Sequence, residues 1–311
     1  MTARLRNAAP LLLLFAMVAV IAALTPGVRS FGALGSMLAD TATLFVLAAG
    51  VTFVIMIRGI DLSLQAVASM SSVVVALTLP QLGEASLVLA LLAGLAAGLV
   101  SGGVHLWLRV PSFIATLATS GIVAGLALVA SGARSITIDA AGRADLAWIT
   151  GTLLGVPNLI LLGLLVLAVG TLLQVYTPFG RFSTAIGAGE AAVWASGVRV
   201  DRHKLVAFAL SGTLAALGGV FLAARIGSGS PTLANQLLLP AIAAVVVGGT
   251  AITGGVGGIG RTLVGALLIS VVRIGMTFLN VNIFAQQVVF GTVLVLAVAV
   301  TIDRTKIPIV K

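Results

Sequence analysis

Few side chains in this 311-residue chain could do chemistry, and they gather at three places. The first is MIRGIDLSLQ, Met56 to Gln65, where Gly59 permits a sharp turn or a positive φ ahead of a new apolar run. Asp61 and Ser63 can cap the helix that follows by accepting bonds from its first free N–H groups. Alternatively, this is a broken membrane helix whose exposed backbone ends line a path, since an acidic residue near the bilayer is a functional candidate. The second place is VVVGGTAITGGVGGIGRTLVGA, Val245 to Ala266, with eight Gly among 22 residues, Gly248, Gly249, Gly254 and Gly255 among them. GGVGGIG imitates a dinucleotide fingerprint only loosely and has no βαβ context, so phosphate binding is set aside. Close helix approach or chain reversal between spans fits better, with a gate as the other reading. The third place is GAGEAAVWASGVRVDRHK, Gly187 to Lys204, the one long polar stretch, which holds the start of an amphipathic helix.

Other chemistry is excluded by what is missing. The chain has no Cys and only two His, His105 and His203, so no thiol chemistry and no histidine metal cluster is expected. His105 sits in an apolar run and reads as a packed or interfacial residue. No carboxylate pair, Ser-His-Asp set or metal-ligand spacing occurs in the apolar segments, which leaves intramembrane hydrolysis little to work with. We expect no catalytic and no metal-ligating residues. A proton-coupled carrier wants titratable groups at mid-membrane, and Asp61 is at best the one on offer. Arg273 stands within an apolar run, where it snorkels or pairs inside a bundle; no partner can be named for it, Glu84 and Asp303 being at the wrong depth.

The elements that carry these residues are membrane helices. Sixty per cent of the residues are apolar and 8% charged, with mean hydropathy +1.24. Soluble domains are about one quarter charged, so the chain belongs to the membrane class. The net charge of +9 is scattered between apolar runs, which argues against nucleic acid and for orientation in a bilayer. Ten candidate spans follow, at 10–25, 41–57, 63–80, 86–108, 113–130, 153–175, 205–224, 237–253, 262–280 and 283–302. Several are short and either Gly-rich or next to a Gly-rich break, which predicts irregular or tilted helices buried among neighbours. Arg4 and Arg6 before the first run resemble a signal peptide, but without a convincing cleavage site it reads as a retained helix.

With the N-terminus inside, the cytoplasmic side holds 12 basic residues, from Arg4 and Arg6 through Arg58, Arg109, Arg181, Arg199, Arg202, Lys204 and Arg261 to Arg304, Lys306 and Lys311. The outer side holds four, Arg29, Arg134, Arg143 and Arg225. This asymmetry predicts an all-α integral membrane protein of about ten transmembrane helices with both termini cytoplasmic. It also predicts a single transmembrane domain, 1–311, and puts the polar loop at 176–204 on the cytoplasmic side, where ATP and soluble partners are found.

At this point the residues resemble a known family. RGIDLS at Arg58 to Ser63 is similar to GGIDLS, a motif of permease subunits of bacterial ABC importers of the ribose/xylose type. VPSFIATLATSGIVAGLALVASGARSI (Val110 to Ile136), TPFGRFSTAIGAGEAAVWASGV (Thr177 to Val198) and AIAAVVVGGTAITGGVGGIGRTLVGALLI resemble three further blocks of that family, in order. The resemblance runs over nearly the whole length. It implies that the 176–204 loop forms a short coupling helix docking on a separate ATP-binding subunit. The residues implied there are Arg181, Gly187, Glu190, Ala191, Ala192, Trp194 and Gly197, with Trp194 as an anchor and the small residues giving close approach. Gly59, Asp61, Ser63, Gly248, Gly249, Gly254 and Gly255 are the candidates for the translocation path or its helix breaks.

The resemblance further implies that ATP and Mg are bound by the partner ATPase, with no cofactor in this chain. A solute-binding protein on the outer face and a second permease subunit complete the assembly, in the inner membrane of a bacterium and surrounded by its lipid. Transport is then by alternating access of a monosaccharide or related small polar solute. Departures occur: Arg58 replaces the first Gly of GGIDLS, Leu64 and Gln65 replace Val-Gly, and Gly189 replaces an Asn before Glu190. Y-E-L-D-A-I-A-A reads Leu237-Leu238-Leu239-Pro240-Ala241-Ile242-Ala243-Ala244, which is similar to branches such as the autoinducer-2 and rhamnose importers, in which two different permeases can pair, so a homodimer and a heterodimer both stay open. The solute therefore stays open among sugars, nucleosides, polyols, autoinducer-2-like compounds and amino acids. An ion-coupled secondary carrier and a membrane-embedded enzyme are the rival classes.

Overall fold

The computed structural model describes residues 31–301, with Leu14, Phe15, Met17 and Val18. Most of the expected first span, 10–25, lies outside the described residues, as do Arg4, Arg6, Arg29, Asp303, Arg304, Lys306 and Lys311. The helices run α1 (Phe31–Met56), α2 (Leu64–Leu82), α3 (Ala85–Trp107) and α4 (Ser112–Ser131), then the short α5 (Ala140–Asp145) and α6 (Ala147–Thr150). They continue as α7 (Asn158–Thr171), α8 (Pro178–Ala195), α9 (Val200–Ile226), α10 (Leu238–Val247), α11 (Ile259–Phe278) and α12 (Ile283–Thr301). Two small strand pairs join β1 (Ile136–Thr137) to β4 (Ser228–Gly229) and β2 (Thr152–Leu153) to β3 (Val156–Pro157), both antiparallel.

Among the described residues seven helices are long and apolar enough to cross a membrane. They are α1, α2, α3, α4, α7, α9 and α11, so this is an all-α membrane protein. The expected span at 237–253 departs most from expectation. Its helix, α10, has only 10 residues, or about 15 Å of rise. It is preceded by β4, a turn and a single 3-10 turn, Asn235–Leu237, that runs into it.

Helix α9 is the centre of the bundle, with α1, α2 and α3 packed around it. Small residues permit this. A Cβ added at Gly94 or Gly98 of α3 would land on the α9 backbone at Gly212 and Phe208, and one at Gly219 would land on the Ala68 carbonyl of α2. In a bilayer, where lipid is as apolar as leucine, such close backbone approach is what holds helices together. Helix α7 lies at the margin, and its leucines Leu161, Leu164 and Leu165 are exposed. A hydroxyl pair, Thr52 Oγ1 to Thr262 Oγ1 at 2.7 Å, joins α1 to α11 inside the core.

The two ends of the bundle differ. At one end lie the 57–63 turn, α8 and the loop 248–258; at the other lie the two strand pairs, α5 and α6. Towards this far end Arg273 finds the partner that the sequence reading could not name. Asp40 of α1 accepts from Arg225 of α9, and Arg273 of α11 stands 3.6 Å from the same carboxyl oxygen. Three helices distant in sequence are thus tied by one acidic residue. Asp40→Ala leaves both guanidiniums without their counter-charge in a half-buried setting. The expected loss is roughly 1–2 kcal/mol, between the values for exposed and buried pairs. A lower melting temperature in detergent would register it, and an unchanged one would show that the cluster is not structural.

Candidate functional site

The three chemistry-bearing stretches of the sequence meet at the α8 end. Helix α1 ends at Met56, and the chain turns through Arg58 and Gly59. The positive φ sits at Arg58 (63°) and not, as expected, at Gly59. Gly59 is needed for a different reason: a Cβ there would stand 2.7 Å from Val54 Cγ1 and 3.1 Å from the Val54 carbonyl oxygen. The first position of the RGIDLS turn is thus the one whose backbone favours glycine, and this chain places Arg58 there.

From Gly59 to Ser63 the chain forms no regular element, and two of its amides are satisfied by hydroxyls of α4. Ile60 N–H donates to Ser112 Oγ and Leu62 N–H to Thr116 Oγ1, both at 3.0 Å. Asp61 is 2% exposed. Its Oδ1 accepts from Ser63 N–H at 2.8 Å and Ser63 Oγ at 2.6 Å, and its Oδ2 accepts from Ser211 Oγ of α9 at 2.6 Å. The expected double cap is therefore corrected. Ser63 occupies the N-cap of α2 without a side-chain cap bond, because its hydroxyl is spent on Asp61. Asp61 fastens the turn to α9 rather than terminating α2.

The polar loop folds as α8, broken at Gly189, whose φ of −174° and ψ of 85° are extended and not helical. The first part packs inward. Phe179 lies between Phe53 of α1 (ring centroids 5.7 Å apart) and His203 of α9 (6.5 Å, stacked), and Phe182 meets His203 edge-on at 5.0 Å. The part after Gly189, Glu190 to Ala195, projects into the open, with Ala191, Ala192 and Trp194 exposed; Trp194 is 73% exposed. Gly197 follows in the turn to α9 with φ 81°. Arg181 is exposed on the first part. Lys204 is not the free flanking charge that the sequence suggests. It is buried on the first turns of α9 and donates to Glu190 Oε1 at 2.6 Å, tying the projecting segment to the bundle.

Gly187 is the hinge point of this arrangement. It is buried, and a Cβ on it would collide with the Met56 carbonyl oxygen and the Gly255 amide. Those two atoms bond to each other, Gly255 N–H donating to Met56 O at 3.0 Å. Gly254 lies on Arg58 in the same way. So Gly187, Gly254, Gly255 and the end of α1 form one close-packed backbone junction. Gly254 and Gly255 take φ of 81° and 75°, which L side chains avoid. Gly248 is packed on the Arg261 carbonyl of α11, and Gly249, with φ 97°, turns the chain out of α10.

One residue in this region was missed. Gln174, in the π-helical turn Leu172–Tyr176 just before α8, donates from Nε2 to the Gly257 carbonyl at 3.1 Å. Its Oε1 accepts from Ile259 N–H at 2.9 Å, at the first residue of α11. A single carboxamide so links the base of the projecting helix to the glycine loop and to α11. The sequence carried a signal for it: one amide in an otherwise apolar run. His105 donates from Nδ1 to the Val110 carbonyl at 2.7 Å and lies 5.7 Å from the Phe208 ring, as a packed residue does.

The site comprises a buried polar turn, a close-packed glycine junction and an exposed helical tip. A profile described as "Branched-chain amino acid transport system / permease component" matches residues 33–298. The chain is 35% identical over 291 residues to the ribose import permease protein RbsC of Haemophilus influenzae, covering 92% of this chain and 90% of that one. The Bacillus subtilis protein of the same name is 36% identical over 306 residues, covering 96% and 92%. The L-arabinose transport system permease protein AraH of Escherichia coli is 35% identical over 274 residues, covering 84% and 79%. No solved structure matches.

Proposed function

The chain belongs to the family of branched-chain amino acid transport system / permease components, and from that premise we propose that it is the membrane subunit of an ATP-driven importer for a monosaccharide. The relatives named for ribose and L-arabinose support a sugar over the other solutes. The chain works by moving helices, with hydrolysis in a separate ATPase subunit that holds ATP and Mg. A solute-binding protein and a second permease complete the complex, in a bacterial inner membrane. On this reading the α8 end is cytoplasmic, the far end faces outward, and the first span completes a ten-helix domain.

One observation carries the proposal: the Glu190–Ala195 tip is exposed, yet its root at Gly187 is locked to the ends of α1 and the glycine loop. A partner that grips the tip therefore pulls on α1, α8 and α11 together, Gln174 carrying the last of these. Trp194 is the natural anchor, being large, exposed and set between Val193 and Ala195. Asp61 serves as the brace of the turn between α1 and α2.

Co-purification of the tagged chain in mild detergent tests this. It is expected to recover an ATP-binding subunit, and Trp194→Ala should weaken that association by about thirtyfold, as loss of an interface hot spot does. Recovery of the chain alone, still transporting without ATP, would favour a secondary carrier instead.

A further inference from the structure

Resting on the importer reading, we infer that the segment 228–237 is the solute-contacting surface in the outer half of the translocation path, and that it takes a neutral, hydroxyl-rich solute. The segment leaves β4 at the far end and descends between α2 and α9. Ala234 N–H donates to Ser69 Oγ of α2 at 3.0 Å, and the neighbouring Ala68 touches Gly219 of α9. Gly219 is six residues before Arg225 on α9, which places Ala234 about 9 Å inside the level of Arg225. The 10-residue α10 then completes the crossing from there to the α8 end.

The turn 230–234 is non-helical, and backbone of that kind at such depth cannot face hydrocarbon. One side of the segment is provided for by protein. Ser72 Oγ accepts from Ser230 N–H at 3.1 Å, Ser69 serves Ala234, and Gln287 Nε2 donates to the Gln236 carbonyl at 3.1 Å. The other side presents Thr232 and Asn235, both exposed. An exposed carboxamide and an open turn at membrane depth need water or a polar solute against them.

The composition of this surface selects the solute. Residues 228–237 read SGSPTLANQL and contain no charged side chain. Hydroxyls and carboxamides each donate and accept, as sugar hydroxyls do, and neutral bonds of this kind hold weakly enough to release. An ionised solute would find no counter-charge on the segment.

The absence of Cys from the chain makes single-cysteine variants direct reporters. In right-side-out vesicles bearing the whole complex, Thr232→Cys and Asn235→Cys are expected to react with a cationic, membrane-impermeant methanethiosulfonate. Leu165→Cys, on the outward face of α7, is expected to stay unmodified. Modification at 235 should lower sugar uptake at least fivefold, and Asn235→Leu should lower it by about fivefold, the scale of one or two neutral hydrogen bonds. An unreactive Asn235→Cys in a complex that still imports would overturn the inference, since the segment would then be covered, for instance by a second permease. Reaction at 235 that leaves uptake unchanged would overturn it too. Failure of the importer reading is distinguishable, because it would show as absence of the ATPase from the purified complex.

Discussion

Gly187→Val is expected to cut solute uptake by about a hundredfold while the chain still inserts and accumulates in the membrane, a loss matching roughly 3 kcal/mol of overpacking. The cause is geometric. A side chain at 187 would be driven into the Met56 carbonyl and the Gly255 amide, two backbone atoms that are bonded to each other and have no rotamer to retreat to. Even Gly187→Ala meets both, so a measurable fraction of the loss is expected from a single methyl group. Gly189→Ala is the matched control. It lies two residues away, at the kink of the same helix, with nothing within 4 Å of a Cβ and an extended backbone open to any residue. Uptake by vesicles, measured beside ATP hydrolysis of the intact complex, separates the outcomes. Hydrolysis that persists without uptake identifies the junction as the link between the exposed tip and the helices. Near-normal uptake in Gly187→Val would mean that the tip moves independently of α1, and the mechanical reading would fall.

The second large effect is at Asp61. Asp61→Ala removes three acceptor contacts at once and leaves the Ser63 amide and the Ser211 hydroxyl unpaired in the core. The expected destabilisation is roughly 3–5 kcal/mol, seen as loss of folded protein on size-exclusion chromatography. Asp61→Asn should behave differently. Its carboxamide oxygen can still accept from Ser63, and its nitrogen can donate to the Ser211 oxygen. Folding and uptake within a few-fold of the parent are expected. The pair of variants decides between a brace and a group that exchanges protons. If Asp61→Asn folds and assembles but imports nothing, the carboxyl takes part in transport, and the ion-coupled rival returns.

How far the sequence foretold this can be judged residue by residue. Apolar run length found the long helices, because a bilayer imposes that pattern on local sequence. The helix break after Met56 and the polar loop were also visible, Gly59 with Asp61 and Glu190 with its alanines being conspicuous against their surroundings. What could not be read was which glycine needed which property. Arg58 carries the left-handed backbone that Gly59 seemed made for, because that choice depends on where Val54 and Gly254 lie, not on residue type. The convergence of Gly187 with Gly255, 68 positions apart, is a tertiary contact with no local trace. The interruption at 228–237 was obscured for another reason: the apolar run after it is long enough to look like a complete span, although Gly248 ends the helix early. The pairing of Asp40 with Arg273 likewise has no local trace, because the two lie 233 positions apart and meet only once α1 and α11 have packed.

The Asp40 cluster also bears on how the protein is made. Asp40 emerges from the ribosome 185 residues ahead of Arg225, and Arg273 comes later still. At bacterial synthesis rates of about 5–20 residues per second, α1 waits roughly ten to forty seconds for its first counter-charge. During that interval the nascent helix carries an unmatched acid near its membrane boundary, held by the insertion machinery or by local hydration. Its final seating is therefore a late, post-insertional event, gated by the arrival of α9 and closed by α11. A chain truncated before residue 225 should present α1 to quality-control proteases as an orphan, whereas one truncated after 273 should not.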